Sequence, residues 1–258
     1  MKGFIAMSAT PPLRALTVDL WNTLICEPQQ HDRASTRIAA LHAALTAMGM
    51  PLDYATVQTA HTACGQQHAQ LQATGRDCSA AAHVALFLAA LGPEFTHEDA
   101  FTPAQRQQLT ETYGDAAINV PPMLMEGAVE VLAELRGMGL RLALISNTGR
   151  TPGRVLRLLM SEMGIADAFD TLIFSDEVGL AKPNPAIFDL ALAALEVTTA
   201  ETLHVGDDLV LDWYGAHQAD MSACVLCAEC PSELAAPDLW VPRLLDVPTV
   251  LRQAFFTL

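Results

Sequence analysis

Lys182 is one of two lysines in a chain of 258 residues, and positive charge away from Lys2 and Lys182 is carried by arginine. It lies in Glu177-Val178-Gly179-Leu180-Ala181-Lys182-Pro183-Asn184-Pro185, between a turn and a helix. A chain that avoids lysine yet keeps one there calls for a compact, steerable ammonium. An isolated loop lysine would read as a solvated charge, but three further segments change that reading. They are Val18-Asp19-Leu20-Trp21-Asn22-Thr23-Leu24, Leu144-Ile145-Ser146-Asn147-Thr148, and His204-Val205-Gly206-Asp207-Asp208 followed by Asp212. Asp19 offers a carboxylate as nucleophile or metal ligand; taken alone it is equally a turn residue or a cap. Thr23 and Ser146 supply hydroxyls and Asn147 an amide, donors suited to a tetrahedral oxyanion, although Ser-Asn is also a common helix start. Asp207, Asp208 and Asp212 form a run of like charges that a cation must neutralise. Oxygen-only ligation suits Mg²⁺, which takes one or two carboxylates plus waters and phosphate. Lys182 then balances the carboxylates and a bound anion.

These groups must be held by the elements around them. Leu13 to Asp19 is an apolar run ending in a carboxylate, the pattern of a buried strand feeding a loop. From about Gln29 to Ile118 the chain is rich in Ala, Gln and His, with helical periodicity and no strand. Helices are expected near 31–48, 54–73, 78–91 and 102–117, broken at Gly49-Met50-Pro51, Gly75 and Gly92-Pro93. Pro121-Pro122 marks a stiff return. Helices and strands then alternate: helix 126–138, strand 140–145, helix 152–163, strand 171–174, helix 184–195, strand 202–205, helix 210–219 and strand 223–227. Such alternation predicts a doubly wound parallel sheet covered on both faces, with ligands at the carboxyl ends of its strands. Every chemical segment falls at such an end or just past one.

On these residues the chain resembles the haloacid dehalogenase (HAD) superfamily, most of whose members are phosphatases and phosphotransferases. The stretches Gly179-to-Phe188 and Val205-to-Ala216 carry the resemblance most specifically, and it covers about 13–26 and 120–230. It implies a Rossmann-like α/β core at 1–26 and 119–258, with an inserted α-helical cap at 27–118. It also implies that Asp19 is the nucleophile, that Thr23, Ser146 and Asn147 bind the transferred group, and that Lys182 orients it. Asp19, the backbone carbonyl of Trp21 and Asp207 would hold Mg²⁺, supported by Asp212 or Asp208. The substrate would be a small phosphorylated metabolite, attacked to give a phospho-Asp19 intermediate.

Two positions depart from the family pattern. Phosphatases of the family place a second Asp two residues after the nucleophile, as general acid and base; here that residue is Trp21, which protonates nothing. Acid–base assistance is worth about 10²–10⁴-fold. Haloacid dehalogenases carry an aromatic residue there, so a 2-haloacid dehalogenase using Asp19 on carbon is an alternative reading. So is a low-activity protein that binds phosphate in a regulatory role. The dehalogenases, however, work without metal and lack a Gly206-Asp207-Asp208 equivalent, and a carboxylate cluster without a cation has no evident purpose. At Asp220 the family has glycine, and Asp tolerates the left-handed turn.

The remaining composition excludes several classes. Hydrophobic residues make up 51% and charged ones 17%, which marks a folded globular chain. A net charge of −15 disfavours nucleic acid and anionic membranes. A phosphorylated ligand must therefore be drawn in by a local site. No apolar run reaches membrane-spanning length, and the start lacks the apolar stretch of a secretory signal; a cytoplasmic location is expected, with monomer and homodimer both open. Cys224, Cys227 and Cys230 form a C-x-x-C-x-x-C run without an evident fourth ligand and are expected as buried apolar thiols. Six of the eight histidines (His31, His42, His61, His68, His83 and His97) fall in the helical stretch. His61, Cys64 and His68 share one helix face, expected to be a packed seam or a wall over the substrate. The cations of that stretch are Arg33, Arg37, Arg76 and Arg106.

Overall fold

The computed structural model describes residues 12–28, 32–230, 232 and 238–256. Its strands are β1 (Ala15–Val18), β2 (Ile25–Cys26), β3 (Met123–Leu124), β4 (Arg141–Ser146), β5 (Thr171–Phe174), β6 (Thr202–Gly206), β7 (Ser222–Leu226) and β8 (Leu239–Val241). Six of them form one parallel sheet in the order β5-β4-β1-β6-β7-β8. β1 is central, paired with β4 through Val18–Leu144 and with β6 through Val18–Val205. The chain therefore winds outward on both sides of β1, and the order reverses there. That reversal opens a crevice at the carboxyl ends of β1, β4 and β6, where such sheets bind ligands.

Alternation along the strands feeds two apolar layers. Leu16, Val18, Leu142, Leu144, Leu203 and Val205 face one side. There they meet α6 (Ala128–Gly137), α7 (Gly153–Glu162) and α11 (Val247–Phe255) through Val131, Leu135, Leu156, Met160 and Leu251. Ala15, Ala143, Ile145, Ile173 and Ala223 face the other, against Ile187, Phe188, Ala191 and Leu195 of α9 (Pro185–Leu195). Small alanines on that face let α9 sit close. The fold class read from the alternation is the one observed.

The strandless stretch is helical: α1 (Arg33–Ala47), α2 (Tyr54–Ala73), α3 (Ala80–Leu91), α4 (Pro103–Gly114) and α5 (Ala116–Asn119). Asp32 caps α1, Ser79 caps α3, and α4 starts with Pro103 inside a Thr102–Gln105 capping box. These helices bury a cluster of their own, including Leu41, Leu45, Val57, Phe87, Leu109 and Tyr113. The expected helix 102–117 breaks in two at Asp115, and β2 and β3, a short antiparallel pair at the entry and exit of the stretch, was not anticipated. A second tie joins the stretch to the sheet. Arg76 and Leu180 form an antiparallel bridge, Gly75 O accepts from Ala181 N at 3.1 Å, and Asp77 N donates to Gly179 O at 3.1 Å. His31 and Lys2 lie outside the described residues.

Other differences have local causes. The expected helix 210–219 opens as a wide π-helical turn, Leu209–Tyr214, before α10 (Gly215–Gln218), because both Asp212 N and Trp213 N bond to Asp208 O. Such turns gather at functional sites, and this one carries Asp212. α8 (Ser175–Val178) is a single turn within a loop. Three-residue β8 and amphipathic α11 follow β7, beyond the last expected strand. Asp220 takes a left-handed φ of 56°, as its sequence position requires. Of the three cysteines in the run, Cys224 alone is buried; Cys227 is half-buried and Cys230 exposed, because β7 ends at Leu226. That corrects the expectation of three buried thiols.

Candidate active site

Asp19 leaves β1 with its amide bonded to Val205 O at 2.9 Å, so the carboxylate stands at the crevice. It is buried, at 6% exposure. Lys182, 1% exposed, reaches it from the loop before α9: Nζ donates to Asp19 Oδ1 at 2.5 Å and to Asp212 Oδ1 at 2.6 Å. The lysine loop is held by Asn147, whose Oδ1 accepts from Lys182 N at 2.8 Å and whose Nδ2 donates to Lys182 O at 3.0 Å. The amide read from sequence as an oxyanion donor is thus engaged mainly in placing the ammonium. Asp212 is held from behind by His204, whose Nε2 lies 3.0 Å from Oδ1, and from the front by Asp208 N, 3.0 Å from Oδ2. His204 Nδ1 in turn meets Thr17 Oγ1 at 2.8 Å. Gly206 permits this approach: a Cβ there would stand 2.3 Å from Asp212 Cγ.

Asp19, Trp21, Asn147, Lys182, Asp207, Asp208 and Asp212 line one pocket of about 100 Å³. Thr23 joins them beneath, its hydroxyl 3.4 Å from Asp207 Oδ1. Ser146 ends β4 beside Asn147, its hydroxyl turned to the Asn147 carbonyl at 3.5 Å. Asp208 is placed differently from the other carboxylates. Asp208 Oδ1 caps the π-helical turn, accepting from Val210 N at 2.7 Å and Leu211 N at 2.8 Å. It stands outside the group of Asp19, Asp207 and Asp212, whose ligand oxygens lie within 4.8 Å of one another.

The charges in this group are out of balance. Burial pushes Asp19 up to about 7 against the pull of Lys182, with Asp212 adding to the rise. Burial also raises Asp207, and Asp212 raises it further. Asp212 itself is held below the carboxylate range, since Lys182 and His204 outweigh its burial. Lys182 stays charged because the two carboxylates outweigh the desolvation that would lower it. Burial lowers His204, against the pull of Asp212. Three carboxylates therefore face one ammonium, and an oxygen-rich set with surplus negative charge fits a small divalent cation.

Beside this pocket, and sharing Trp21 and Asn147 with it, lies a cavity of about 460 Å³ between α1, α2 and the loop after β4. Arg33, Arg37 and His68 line it, as does Arg150, a cation that sequence reading passed over because it falls past the Ser146-Asn147 segment. Of the other two arginines, Arg76 pairs with Leu180, and Arg106 donates to His97 O at 2.8 Å. His61, Cys64 and His68 are buried, the packed seam expected, with His68 also walling the cavity. His68 Nε2 lies 2.5 Å from Asp77 Oδ1, and Asp77 further accepts from Gln72 Nε2 at 2.8 Å, Cys78 N at 2.7 Å and Ser175 Oγ. His68, Asp77 and Cys78 are near enough to hold an ion. The carboxylate is already supplied with four donors, so the geometry is that of a hydrogen-bond hub. No sequence signal linked Asp77 to Ser175.

The sequence profile described as haloacid dehalogenase-like hydrolase matches residues 13–220. The chain is 32% identical over 151 residues to the mouse (Mus musculus) haloacid dehalogenase-like hydrolase domain-containing protein 3, covering 58% of this chain and 57% of that protein. It is 34% identical over 158 residues to a phosphoserine phosphatase of Thermus thermophilus, covering 60% and 61%. The matched region thus spans little more than half of these relatives. Among solved structures, the 2-haloacid dehalogenase of Pseudomonas syringae pv. tomato superposes with a TM-score of 0.66 at 23% identity, over 93% of this chain and 99% of that one, a likeness of fold. With the profile covering most of its length and the parallel sheet bringing the matching motifs to one crevice, this chain belongs to the haloacid dehalogenase-like hydrolases.

Proposed function

We propose that the protein is a Mg²⁺-dependent phosphatase of a small phosphorylated metabolite, acting through a phospho-Asp19 intermediate. The observation that carries this reading is the group of three carboxylates, Asp19, Asp207 and Asp212, gathered within 4.8 Å around a single ammonium. The phosphatase name of the Thermus relative supports phosphate-ester chemistry. Asp19, Asp207 and the Trp21 carbonyl would hold Mg²⁺, with Asp212 in support. When bound, the ion offsets the surplus negative charge and draws charge from the phosphoryl oxygens.

The chain's own groups then divide the work. An Asp19 oxygen attacks phosphorus, the bond to the ester oxygen breaks, and the leaving oxygen carries away the electron pair. Water later hydrolyses the aspartyl phosphate, releasing phosphate and restoring the carboxylate. Lys182 counters the burial that raises Asp19 and faces the phosphoryl charge. Asn147 fixes the lysine loop, and Thr23 in the turn after β1 and Ser146 at the end of β4 provide hydroxyls. Trp21 offers no proton to the leaving oxygen, so esters with acidic leaving groups, such as aryl phosphates, react best. The helices at 27–118 act as a cap that walls the cavity and sets substrate choice.

A panel of phosphate esters assayed with Mg²⁺ and with EDTA tests the reading. Turnover is expected with Mg²⁺, none with EDTA, and a loss of at least ~10³-fold in Asp19→Asn, the order of loss on removing a nucleophile. Metal-independent turnover, or activity kept in Asp19→Asn, refutes it. Trp21 favours one second reading, attack of Asp19 on the carbon of a 2-haloacid. Halide release without metal, in place of phosphate release, is its signature.

A further inference from the structure

We propose that the substrate carries a second anionic group, a carboxylate or a second phosphoryl, and that Arg33 receives it in the cavity beside Trp21. This rests on the phosphatase reading and specifies its substrate class. Arg33 is 6% exposed and lines that cavity. Its Nε donates to Val120 O at 2.9 Å and its Nη1 to Glu27 Oε1 at 2.6 Å. Its Nη2 is buried and has no hydrogen-bond partner among the described residues. Leaving a buried charged donor unpaired is unfavourable, and the two bonds already made fix the guanidinium plane. The Trp21 ring, 5.3 Å from Cζ, supports it from one side. A rigid guanidinium with a spare N–H fits a carboxylate or phosphate oxygen.

In the surroundings cations outnumber acids, three arginines to two carboxylates. Arg37, also buried, donates from Nε to Tyr113 O at 2.7 Å and from Nη2 to Arg150 O at 3.3 Å, which sets the Arg150 loop against the cavity. The Arg150 guanidinium packs on Gly65, where a Cβ would come within 1.9 Å of Nη2 and displace it from this position. Of the acidic residues of the cavity wall, Glu27 takes Nη1 of Arg33 and leaves Nη2 free, and Asp32 is committed to the start of α1. Three arginines thus line one cavity in a chain of net charge −15. Because the cavity shares Trp21 and Asn147 with the carboxylate pocket, one small molecule spans both. Its ester phosphate lies at Asp19 and its distal anion at Arg33.

The test compares ethyl phosphate, carboxyethyl phosphate and ethylene glycol bisphosphate on the full chain with Mg²⁺, using p-nitrophenyl phosphate as a reference. The wild type is expected to favour at least one anion-bearing ester over ethyl phosphate by about 10- to 100-fold in kcat/KM, as one charge-assisted hydrogen bond gives. The better of the two identifies the anion. In Arg33→Gln the preference falls to within about threefold of unity, and Arg33→Lys, which keeps the charge but loses the fork, falls between. A wild-type ratio near one, or a ratio unchanged in Arg33→Gln, overturns the proposal. Should Arg33→Gln fail to fold, Arg150→Gln, altered at an exposed side chain, is expected to lower the ratio at least threefold, and an unchanged ratio there overturns it equally. Absence of turnover on p-nitrophenyl phosphate sinks the phosphatase reading instead. Calorimetric binding of the same three probes then gives the ratio independently of turnover, with the same two outcomes.

Discussion

Replacing Lys182 by Met removes the one ammonium from a group of three carboxylates while keeping the length and apolar stem of the side chain. Nζ lies 2.5 Å from Asp19 and 2.6 Å from Asp212, and the lysine is 1% exposed, so neither carboxylate regains water when the charge is removed. Breaking one partner out of a buried ion pair costs about 3–5 kcal/mol. Two carboxylates are stranded here, but each can take up a proton, which caps the loss near that range. For a chain of this size it corresponds to a fall in Tm of about 6–20 °C. Thermal and urea unfolding in EDTA measure it, with no cation to substitute for the ammonium. Lys182→Met/Asp212→Asn is expected to recover part of the loss, about 1–3 kcal/mol, because one stranded charge is gone. A loss below about 1 kcal/mol, or a double variant no more stable than the single one, would show that the lysine is not balancing these carboxylates.

Three further outcomes follow from the same geometry. Trp21→Asp restores a proton donor two residues after the nucleophile and is expected to raise turnover of alkyl phosphates by about 10²-fold; no gain removes the proton-relay account, and a silent wild type that this change switches on identifies a binding protein. Asp77→Ala strips acceptors from His68, Gln72, Cys78 N and Ser175 and is expected to cost about 2–4 kcal/mol in urea unfolding; a loss within ±0.5 kcal/mol, typical of surface changes, refutes the hub. Burial holds His61 down to about 4 and His83 to about 3, each with an ordinary value of 6.5. The unfolded chain then binds more protons below 6.5, so their contribution is complete above it and is lost progressively as pH falls through about 4 and 3. The urea midpoint is expected to drop from neutral to acid pH, and less steeply in His83→Gln; parallel profiles contradict this.

The sheet and its crevice were legible because they are written locally. Asp19, Ser146-Asn147 and Gly206-Asp207 each end an apolar run, and strand ends in an alternating chain converge at one edge. Roles that depend on distant partners were not legible. Asp208 and Asp212 look alike as sequence, yet the wide turn after Asp208 directs one to a helix cap and the other to Lys182 and His204. His204 reads as one more strand residue until its ring is seen behind Asp212. Arg33 and Arg150 are separated by most of the helical stretch and a turn of the core, so no spacing rule joins them at one cavity. Cys227 falls one residue past the last paired position of β7, and Cys230 lies beyond even the expected strand, so neither shares the burial of Cys224.

The second tie between helices and sheet constrains how this protein can be rebuilt. It is made chiefly of main-chain atoms, Gly75 O with Ala181 N and Asp77 N with Gly179 O, so most side chains on α2 and α3 can change without touching it. One residue more or fewer between 74 and 78 would slide it out of register and pull on the loop that carries Lys182. A graft of foreign helices at the β2–β3 junction alone would thus leave the lysine loop without its mate. A working chimera has to exchange the 75–77 turn together with 179–181, as lock and key, while the cavity-facing positions of α1 and α2 are free to be redrawn for a new ligand.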